Sequence, residues 1–186
     1  LKDGVVSSGG FHTDYGVGIR VLKGEKTGYA YSESTDMKSM TESARAASAI
    51  AIGTGTGRTY KPVNDIRHDL YRMKRNWREE GAETFLPFLT SLEKAILSKD
   101  SRIIKVIARL SDAVSDVMMY TSLGELTCDT RPMGSVSVTA VFSHNGRTEN
   151  KSVSRSFRSG CEMIGQKMID EISAEIVRGI DARFEA

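Results

Sequence analysis

The chain has 186 residues, of which 39% are hydrophobic and 27% are charged. This composition is typical of a globular protein with one buried core or at most two compact units. The formal net charge of +2 provides no whole-chain argument for a nucleic-acid partner or an anionic membrane surface. No apolar run reaches the roughly 18 to 20 residues of a membrane helix, so we expect no membrane association.

The two cysteines, Cys128 and Cys161, stand in no metal-ligand spacing. We expect free thiols in a reducing compartment rather than a disulfide framework. The chain begins without methionine and stops inside a helical pattern. We therefore expect residues 1–186 to form a single α+β domain that is truncated at both ends.

The first clear element is a β-hairpin over Tyr15–Glu33, in which apolar residues alternate on both sides of a turn at Lys23–Lys26. The segment Gly4–Phe11 is expected to pair with it as the first arm of a meander. Glycines 16, 18 and 28 indicate either β-bulges or backbone that another group approaches closely, and bulges are the commoner cause.

A helix with an alanine-rich face is predicted from Asp36, capped by Ser34 or Thr35 and ended by Gly53. The glycine run at 53–57 follows this helix and lacks the Gly-Lys-Ser/Thr end of a phosphate-binding loop. A connector is the favoured interpretation.

The segment Thr59–Glu80 combines many charged residues with Tyr60, Tyr71 and Trp77. Basic residues interleaved with aromatic residues are typical of a platform for single-stranded nucleic acid. Acidic residues offset much of the positive charge, so a solvated loop with a short helix is favoured and nucleic acid is an unlikely partner.

The second half of the chain is rich in predicted strands. A helix from a cap at Thr84 to about Ser98 precedes them, with proline tolerated in its first turn. Alternating patterns predict strands over 102–111, 117–122, 125–130, 136–142 and 148–158. Hairpin turns are expected at Leu123–Gly124 and Asn145–Gly146.

The last predicted strand has serines at 152, 154 and 156 on one face, which is typical of an edge or ligand-facing strand. A final helix is expected from Gly160 to the end of the chain. Together these patterns predict an α+β fold with a mostly antiparallel sheet of hairpins and about three helices packed on it.

The sequence offers little catalytic chemistry. His12, His68 and His144 lie far apart, and neither an H-E-x-x-H helix nor a G-x-S-x-G elbow is present. We assign no catalytic residue and no metal ligand. These residues predict a binding or scaffolding domain.

The stretches Gly16–Arg20 and Gly24–Tyr31 resemble the N-terminal domain of the TldD/PmbA family, historically called modulators of DNA gyrase. The resemblance continues through the alanine-rich helix and through Asp129–Pro132, taken as a turn, into the strand at 136–142. It covers nearly the whole chain and is nearest to the TldD branch.

The resemblance implies a cytoplasmic zinc metallopeptidase that trims or degrades unfolded or modified peptides, often as a homodimer or heterodimer. Its zinc ligands would lie outside this span, in a C-terminal domain with an H-E-x-x-x-H helix, so the span alone is expected to be inactive. It would shape the channel for the peptide substrate, with Gly16, Gly18, Arg20, Ser152 and Ser154 as candidate contacts. The alternative is a non-enzymatic interaction or dimerisation domain, including a nucleic-acid or gyrase-associated modulator.

Overall fold

The computed structural model describes residues 1–2, 4–51, 61–68 and 70–185. They form two compact units, one comprising Gly10–Tyr60 and the other comprising Leu1–Gly9 with Lys61–Ala186. Helices accompany sheets of mostly antiparallel strands, so the predicted α+β class is confirmed. No helix among the described residues is both long and apolar enough to cross a membrane.

The smaller unit contains the predicted hairpin, whose strands are β1 (Val17–Lys23) and β2 (Lys26–Ser32). Gly24 supplies the positive φ of 57° that the tight turn requires. Helix α1 (Met37–Ala51) follows and lies against the hairpin. The predicted end of this helix at Gly53 and the connector at 53–57 lie outside the described residues.

Asp36, which precedes α1, caps this helix, so the predicted caps at Ser34 and Thr35 are wrong. Its Oδ1 accepts hydrogen bonds from the backbone amides of Lys38 and Ser39 at 2.9 and 3.0 Å. Hydroxyls of Ser34 and Ser39 donate to the same carboxylate and lower its pKa well below the usual range, together with those amides. The Asp36 carboxylate thus satisfies two of the four backbone amides that have no partner within the first turn of a helix.

The larger unit is built on a four-stranded sheet. Its strands are β3 (Asn64–His68), β4 (Ile103–Tyr120), β5 (Glu125–His144) and β6 (Arg147–Phe157). On one side β5 pairs with β4 along nearly its whole length, and on the other side it pairs with β6 and, in parallel, with β3. The strands predicted separately at 102–111 and 117–122 are therefore one strand, as are those at 125–130 and 136–142.

The predicted turn at Asp129–Pro132 is wrong, because these residues lie in the middle of β5. Proline has no N–H to donate to a neighbouring strand and is normally confined to unpaired edges. Pro132 meets that condition, because β3 pairs only as far as Asp129 and β6 only from Gly134. Among the described residues, 130–133 thus have no strand partner on that side of β5.

Both hairpin turns in this unit are confirmed. Gly124 has a φ of 86°, and Asn145 and Gly146 have φ values of 49° and 78°, as a two-residue Asn-Gly turn requires. The expected pairing of Gly4–Phe11 with the hairpin of the smaller unit is wrong. Lys2 and Val5 instead form a local bridge, and Lys2 pairs with Ile107 of β4.

Two helices of this unit cover one face of the sheet, α2 (Leu86–Leu97) and α3 (Gln166–Val177), followed by the short α4 (Ile180–Glu185). Thr84 is not the cap of α2, because a 3₁₀ turn over Ala82–Phe85 leads into that helix. The prediction of a single final helix is also wrong. Gly179, with a φ of 71°, separates α3 from α4.

The core lies between these helices and the sheet. Its side chains are Phe88, Leu92, Ile96, Val106, Val136, Val138, Ala140, Phe142, Ile172 and Ile176, among others. A register shift between Ile103 and Lys105 places Ile103 in the core, whereas Ile104 is 61% exposed. The sequence pattern cannot reveal such a bulge, since it moves the alternation by one residue.

Candidate functional site

The face of the sheet opposite the helices is lined with serine and threonine side chains. Val136, Val138 and Ala140 of β5 are buried in the core, so the residues between them point to the other face. The strand register aligns Ser111 and Ser115 of β4, Ser135, Ser137 and Thr139 of β5, and Ser152, Ser154 and Ser156 of β6. We call this surface the hydroxyl face.

Hydroxyl pairs across β5 and β6 differ in whether they bond to each other. Thr139 Oγ1 lies 2.8 Å from Ser152 Oγ, and Ser135 Oγ lies 3.1 Å from Ser156 Oγ. Between them, Ser137 and Ser154 are cross-strand neighbours, and neither hydroxyl has a hydrogen-bond partner in the described part of the chain. This middle pair can therefore offer its hydroxyl groups to another molecule.

The outer edge of β6 presents backbone groups at its serines. Leu1 exchanges hydrogen bonds of 2.8 and 3.0 Å with Ala108, so the backbone of Ala108 points away from β5. Ala108 is opposite Val138 of β5, so the backbone groups of Val138 point the other way, towards Val153 of β6. Val153 therefore bonds to β5. Because backbone direction alternates along a strand, the N–H and C=O groups of the even-numbered β6 residues point away from β5.

Two side-chain contacts support that assignment. Arg183 Nη1 donates to Asn150 O at 2.5 Å, and Arg155 Nη1 donates to Ser154 O at 3.0 Å. Both acceptors are even-numbered residues of β6. The backbone amides of Ser152 and Ser154 have no partner within the described ranges, so they can donate hydrogen bonds along this edge of the sheet.

Charged contacts fix the other face of β6 to α3. Lys151 Nζ donates to Glu175 O at 2.7 Å and to Arg178 O at the end of the helix. Burial, with the charge of Arg183 nearby, lowers the pKa of Lys151. The Arg155 guanidinium bonds to the Glu175 carboxylate and lowers its pKa against the opposing effect of burial. β6 is thus a supported edge strand.

The remaining candidate contacts belong to the smaller unit. Gly18 and Arg20 lie on the exposed face of β1, and Gly16 precedes that strand. A Cβ on Gly18 would lie 2.6 Å from the hydroxyl of Tyr29, whose ring covers that position. The structure thus places Gly18 and Arg20 together in one unit, and Ser152 and Ser154 together in the other.

Gly28 has a packing role that the sequence left open. The β1–β2 register runs from Val17 to Lys23 without interruption, so the bulge interpretation is wrong for this hairpin. A Cβ on Gly28 would lie 1.9 Å from Ala47 O, in the backbone of α1. Glycine allows strand and helix backbones to approach each other here.

The aromatic and basic segment before α2 is mainly structural. Trp77 is 3% exposed, and its Nε1 donates to Ser159 O at 2.9 Å. Its ring stacks on Phe157 with centroids 6.1 Å apart. A base cannot stack on a ring that is already buried. The predicted short helix is present as the 3₁₀ turn at Trp77–Glu79, but the predicted loop is wrong where β3 (Asn64–His68) lies. Tyr60 lies outside the described residues.

An open cleft of about 840 Å³ lies beside this segment. It is lined by Tyr71, Arg72, Met73, Lys74, Asn76, Arg78, Glu79 and Thr130. Asp116 neutralises part of its positive charge, with Oδ2 2.8 Å from Arg78 Nη1. The Thr130 hydroxyl bonds to Oδ1 at 2.8 Å and, with Arg78, lowers the pKa of Asp116. These contacts tie the segment to the sheet.

The described residues do not fit a metal centre, since no group of three or more His, Cys, Asp or Glu side chains among them could hold an ion. Cys128 and Cys161 are free thiols. Cys161 is buried, with its Sγ 3.5 Å from Arg75 O, and burial raises the pKa of this thiol. Neither cysteine resembles a metal ligand.

The sequence missed one charged pair on the helix-free side of β5. Arg131 Nε donates to Asp129 Oδ2 at 2.7 Å. The Asp129 side chain is only 7% exposed, and its Oδ1 is buried without a hydrogen-bond partner among the described residues. Residues two positions apart in a strand share a face, so the sequence would indicate this pair if the segment were predicted as a strand and not as a turn.

Comparison with known proteins gives consistent matches. Residues 1–51 match the family described as "PmbA/TldA metallopeptidase domain 1", and residues 75–182 match "PmbA/TldA metallopeptidase central domain". The chain is 29% identical over 178 residues to a protein named metalloprotease TldD homolog from Haemophilus influenzae, covering 94% of this chain and 36% of that protein. A protein of the same name from Buchnera aphidicola is 26% identical, with coverages of 80% and 31%.

Solved structures share the fold at low sequence identity. A crystal structure described as a candidate modulator of DNA gyrase from Thermotoga maritima superposes with a TM-score of 0.70 at 16% identity, covering 95% of this chain and 40% of that one. TldE from Thermococcus kodakarensis gives a TM-score of 0.58 at 13% identity, with coverages of 87% and 36%. The chain thus spans less than half the length of each of these relatives.

Proposed function

The chain belongs to the PmbA/TldD metallopeptidase family, and from this premise we propose that it is a non-catalytic part of a peptidase that presents an edge strand to an extended peptide. The peptide would add as a strand beside β6 and lie along Ser152 and Ser154. Hydrolysis would be performed by a domain outside this span. The proposal includes a zinc ion held in that domain, a cytoplasmic location and a homodimeric or heterodimeric assembly.

The observation that supports this proposal best is that β6 combines outward-pointing backbone amides at Ser152 and Ser154 with a Ser154 hydroxyl that has no partner among the described residues. Peptides that add to a sheet edge gain affinity from main-chain hydrogen bonds, which do not depend on the peptide's sequence. A surface lined by small hydroxyl side chains admits many different residues. Both properties suit an enzyme that acts on unfolded peptides.

The other face of β6 supports the same role. Lys151 and Arg155 hold the strand against α3, so the edge is already ordered when a peptide arrives. A preorganised edge reduces the entropy lost on binding. Arg155 and Arg183 occupy the Ser154 and Asn150 carbonyls, and a peptide would displace them or bond to the groups between them.

The test is a pair of proline substitutions in the full-length protein, Ser152→Pro and Ser154→Pro. Proline removes an outward-pointing amide but leaves the ladder to β5 intact. At about 1 kcal/mol for each hydrogen bond, kcat/KM for an unfolded peptide should fall about fivefold for each variant. Circular dichroism should show an unchanged melting temperature.

Two controls sharpen the result. Ser154→Ala removes only the hydroxyl and separates its contribution from that of the amide. Thr148→Pro places the same change on the same edge but outside the serine segment, and it should leave kcat/KM unaltered. Wild-type turnover in the folded Ser152→Pro and Ser154→Pro variants would refute strand addition at β6.

A second candidate function is an interaction or dimerisation domain. It is favoured by apolar side chains at the turn between β4 and β5, where Met118 is 74% exposed and Leu123 is 81% exposed. Exposed apolar groups that cluster at a hairpin tip are typical of contact surfaces. Nucleic acid fits less well, because Trp77 is buried and Arg78 is paired with Asp116.

A further inference from the structure

We infer that Arg131 binds a carboxylate group of the peptide and that the buried Asp129 holds Arg131 in the geometry this requires. The inference rests on the proposed function, because it assumes that a peptide is bound along the edge of β6. It deepens that function by assigning a preference for one chemical group.

The pair has an unusual distribution of burial. The Asp129 side chain is 7% exposed, whereas the Arg131 side chain is 49% exposed. In every other arginine–carboxylate pair of the described residues the acid is more exposed, Asp100 being next at 14%. A buried carboxylate is costly unless its hydrogen bonds are satisfied, and Asp129 Oδ1 has no partner in the described part of the chain. A buried polar atom left unsatisfied requires an explanation, and a functional role is one.

The contact uses only part of the arginine. Nε donates to Asp129 Oδ2 at 2.7 Å, and neither Nη has a hydrogen-bond partner within the described residues. Arg102 provides the contrast, since its Nη groups bond to both Asp100 and Asp181. Asp129 therefore anchors the Nε side of the Arg131 guanidinium, and the Nη groups can bond to another molecule. Two parallel N–H donors in a plane match the two oxygens of a carboxylate.

The backbone around Arg131 is restricted, and its side chain is accessible. Pro132 follows it and confines Arg131 to extended conformations. In the described part of the chain neither β3 nor β6 pairs with β5 over residues 130–133, and the Arg131 side chain is 49% exposed. The pairing of β6 with β5 ends at Phe157 and Gly134, three positions from Arg131, so a peptide that runs along the edge of β6 and past Phe157 would come level with Arg131.

This chemistry selects a carboxylate, which the peptide can supply as its C-terminal group or as a Glu or Asp side chain. A short N-acetylated serine–alanine peptide with a free C-terminal carboxylate and the same peptide with a C-terminal amide are suitable probes. A third probe, an amide containing one internal glutamate, distinguishes the two sources. Competition binding by fluorescence anisotropy, in the full-length protein with a chelator to prevent hydrolysis, gives the affinity ratios.

Wild-type protein should bind the peptide acid, or the glutamate-containing amide, about tenfold more tightly than the plain amide. Arg131→Gln should reduce this ratio to about one with little effect on binding of the plain amide. Asp129→Asn keeps the arginine but weakens its anchor, and it should reduce the ratio to about threefold. Arg109→Gln, an exposed arginine of β4 on the same face, is the matched control and should keep the wild-type ratio.

The ratio, unlike total affinity, does not respond to a general loss of folding. An undiminished ratio in Arg131→Gln, or equal binding of all probes by wild type, would overturn the role of Arg131 while leaving peptide binding at β6 intact. Failure of wild type to bind any probe would overturn the proposed function, and this inference with it.

Discussion

Gly28 offers a direct test of how the smaller unit is held together. A Cβ at this position would lie 1.9 Å from Ala47 O and 2.8 Å from Ala47 C, well inside the contact distance of real Cβ atoms. The clashing atoms belong to the backbone of α1, so no side-chain rotation can relieve the clash. Gly28→Ala must instead move the hairpin away from the helix.

The expected cost follows from overpacking, which typically destabilises a core by about 1–3 kcal/mol. Alanine also restricts the conformations of the unfolded chain, and this effect offsets about 0.5 kcal/mol of the destabilisation. We therefore expect the free energy of unfolding of the smaller unit to fall by about 2 kcal/mol. Amide protection in residues 17–32 should then fall roughly thirtyfold.

Hydrogen exchange measured by mass spectrometry resolves this unit from the larger one, whose single tryptophan, Trp77, reports its folding by fluorescence. Gly18→Ala is the matched control in the same hairpin. Its Cβ would meet only the hydroxyl end of Tyr29, a side chain that is free to rotate towards solvent. Equal exchange rates in the two alanine variants would refute the packing argument.

Two further predictions concern charged side chains of the larger unit. Burial opposes ionisation of Glu162, but hydrogen bonds from the Ser159 hydroxyl and from nearby backbone amides outweigh it and lower its pKa from 4.5 to about 2. Since the folded pKa lies below the unfolded one, the stabilisation is complete above about pH 4.5 and is lost as the pH falls towards 2. Urea unfolding measured between pH 4.5 and 2 should show that the free energy of unfolding falls more steeply with decreasing pH in wild type than in Glu162→Gln, with Ser159→Ala in between. The same pH dependence in all three proteins would contradict the assignment. Lys151→Met leaves the last carbonyls of α3 without their donor and should lower the free energy of unfolding by about 1–3 kcal/mol. Lys167→Met, at an exposed site 4.0 Å from Glu171, should have no measurable effect, and a similar loss in both variants would disprove the capping role.

Local patterns predicted several elements correctly. The hairpin of β1 and β2 followed from its period-two alternation and Gly24, and the Asn145–Gly146 turn followed from its need for two positive φ values. The serines of β6 were correctly placed on one face for the same reason. These features depend on neighbours within a few residues, which the sequence displays directly.

Other features depended on partners far along the chain. Asp129–Pro132 looks like a turn in isolation, because aspartate and proline favour turns. It is part of β5 because β4 pairs along that strand while β3 and β6 leave the proline's side free. The strand β3 was missed for a related reason, since its parallel pairing with β5 joins residues about 60 positions apart.

The sequence by itself determined the family, the α+β class and the identity of the serine-lined strand, because composition and alternation act through short-range geometry. Only the tertiary structure decided which backbone groups of β6 face outward, why Gly28 must lack a side chain, and that Asp129 is buried beneath an exposed Arg131. Each of these is set by strand register or by the approach of a distant element. Long-range packing, which no local pattern encodes, therefore defines the candidate site.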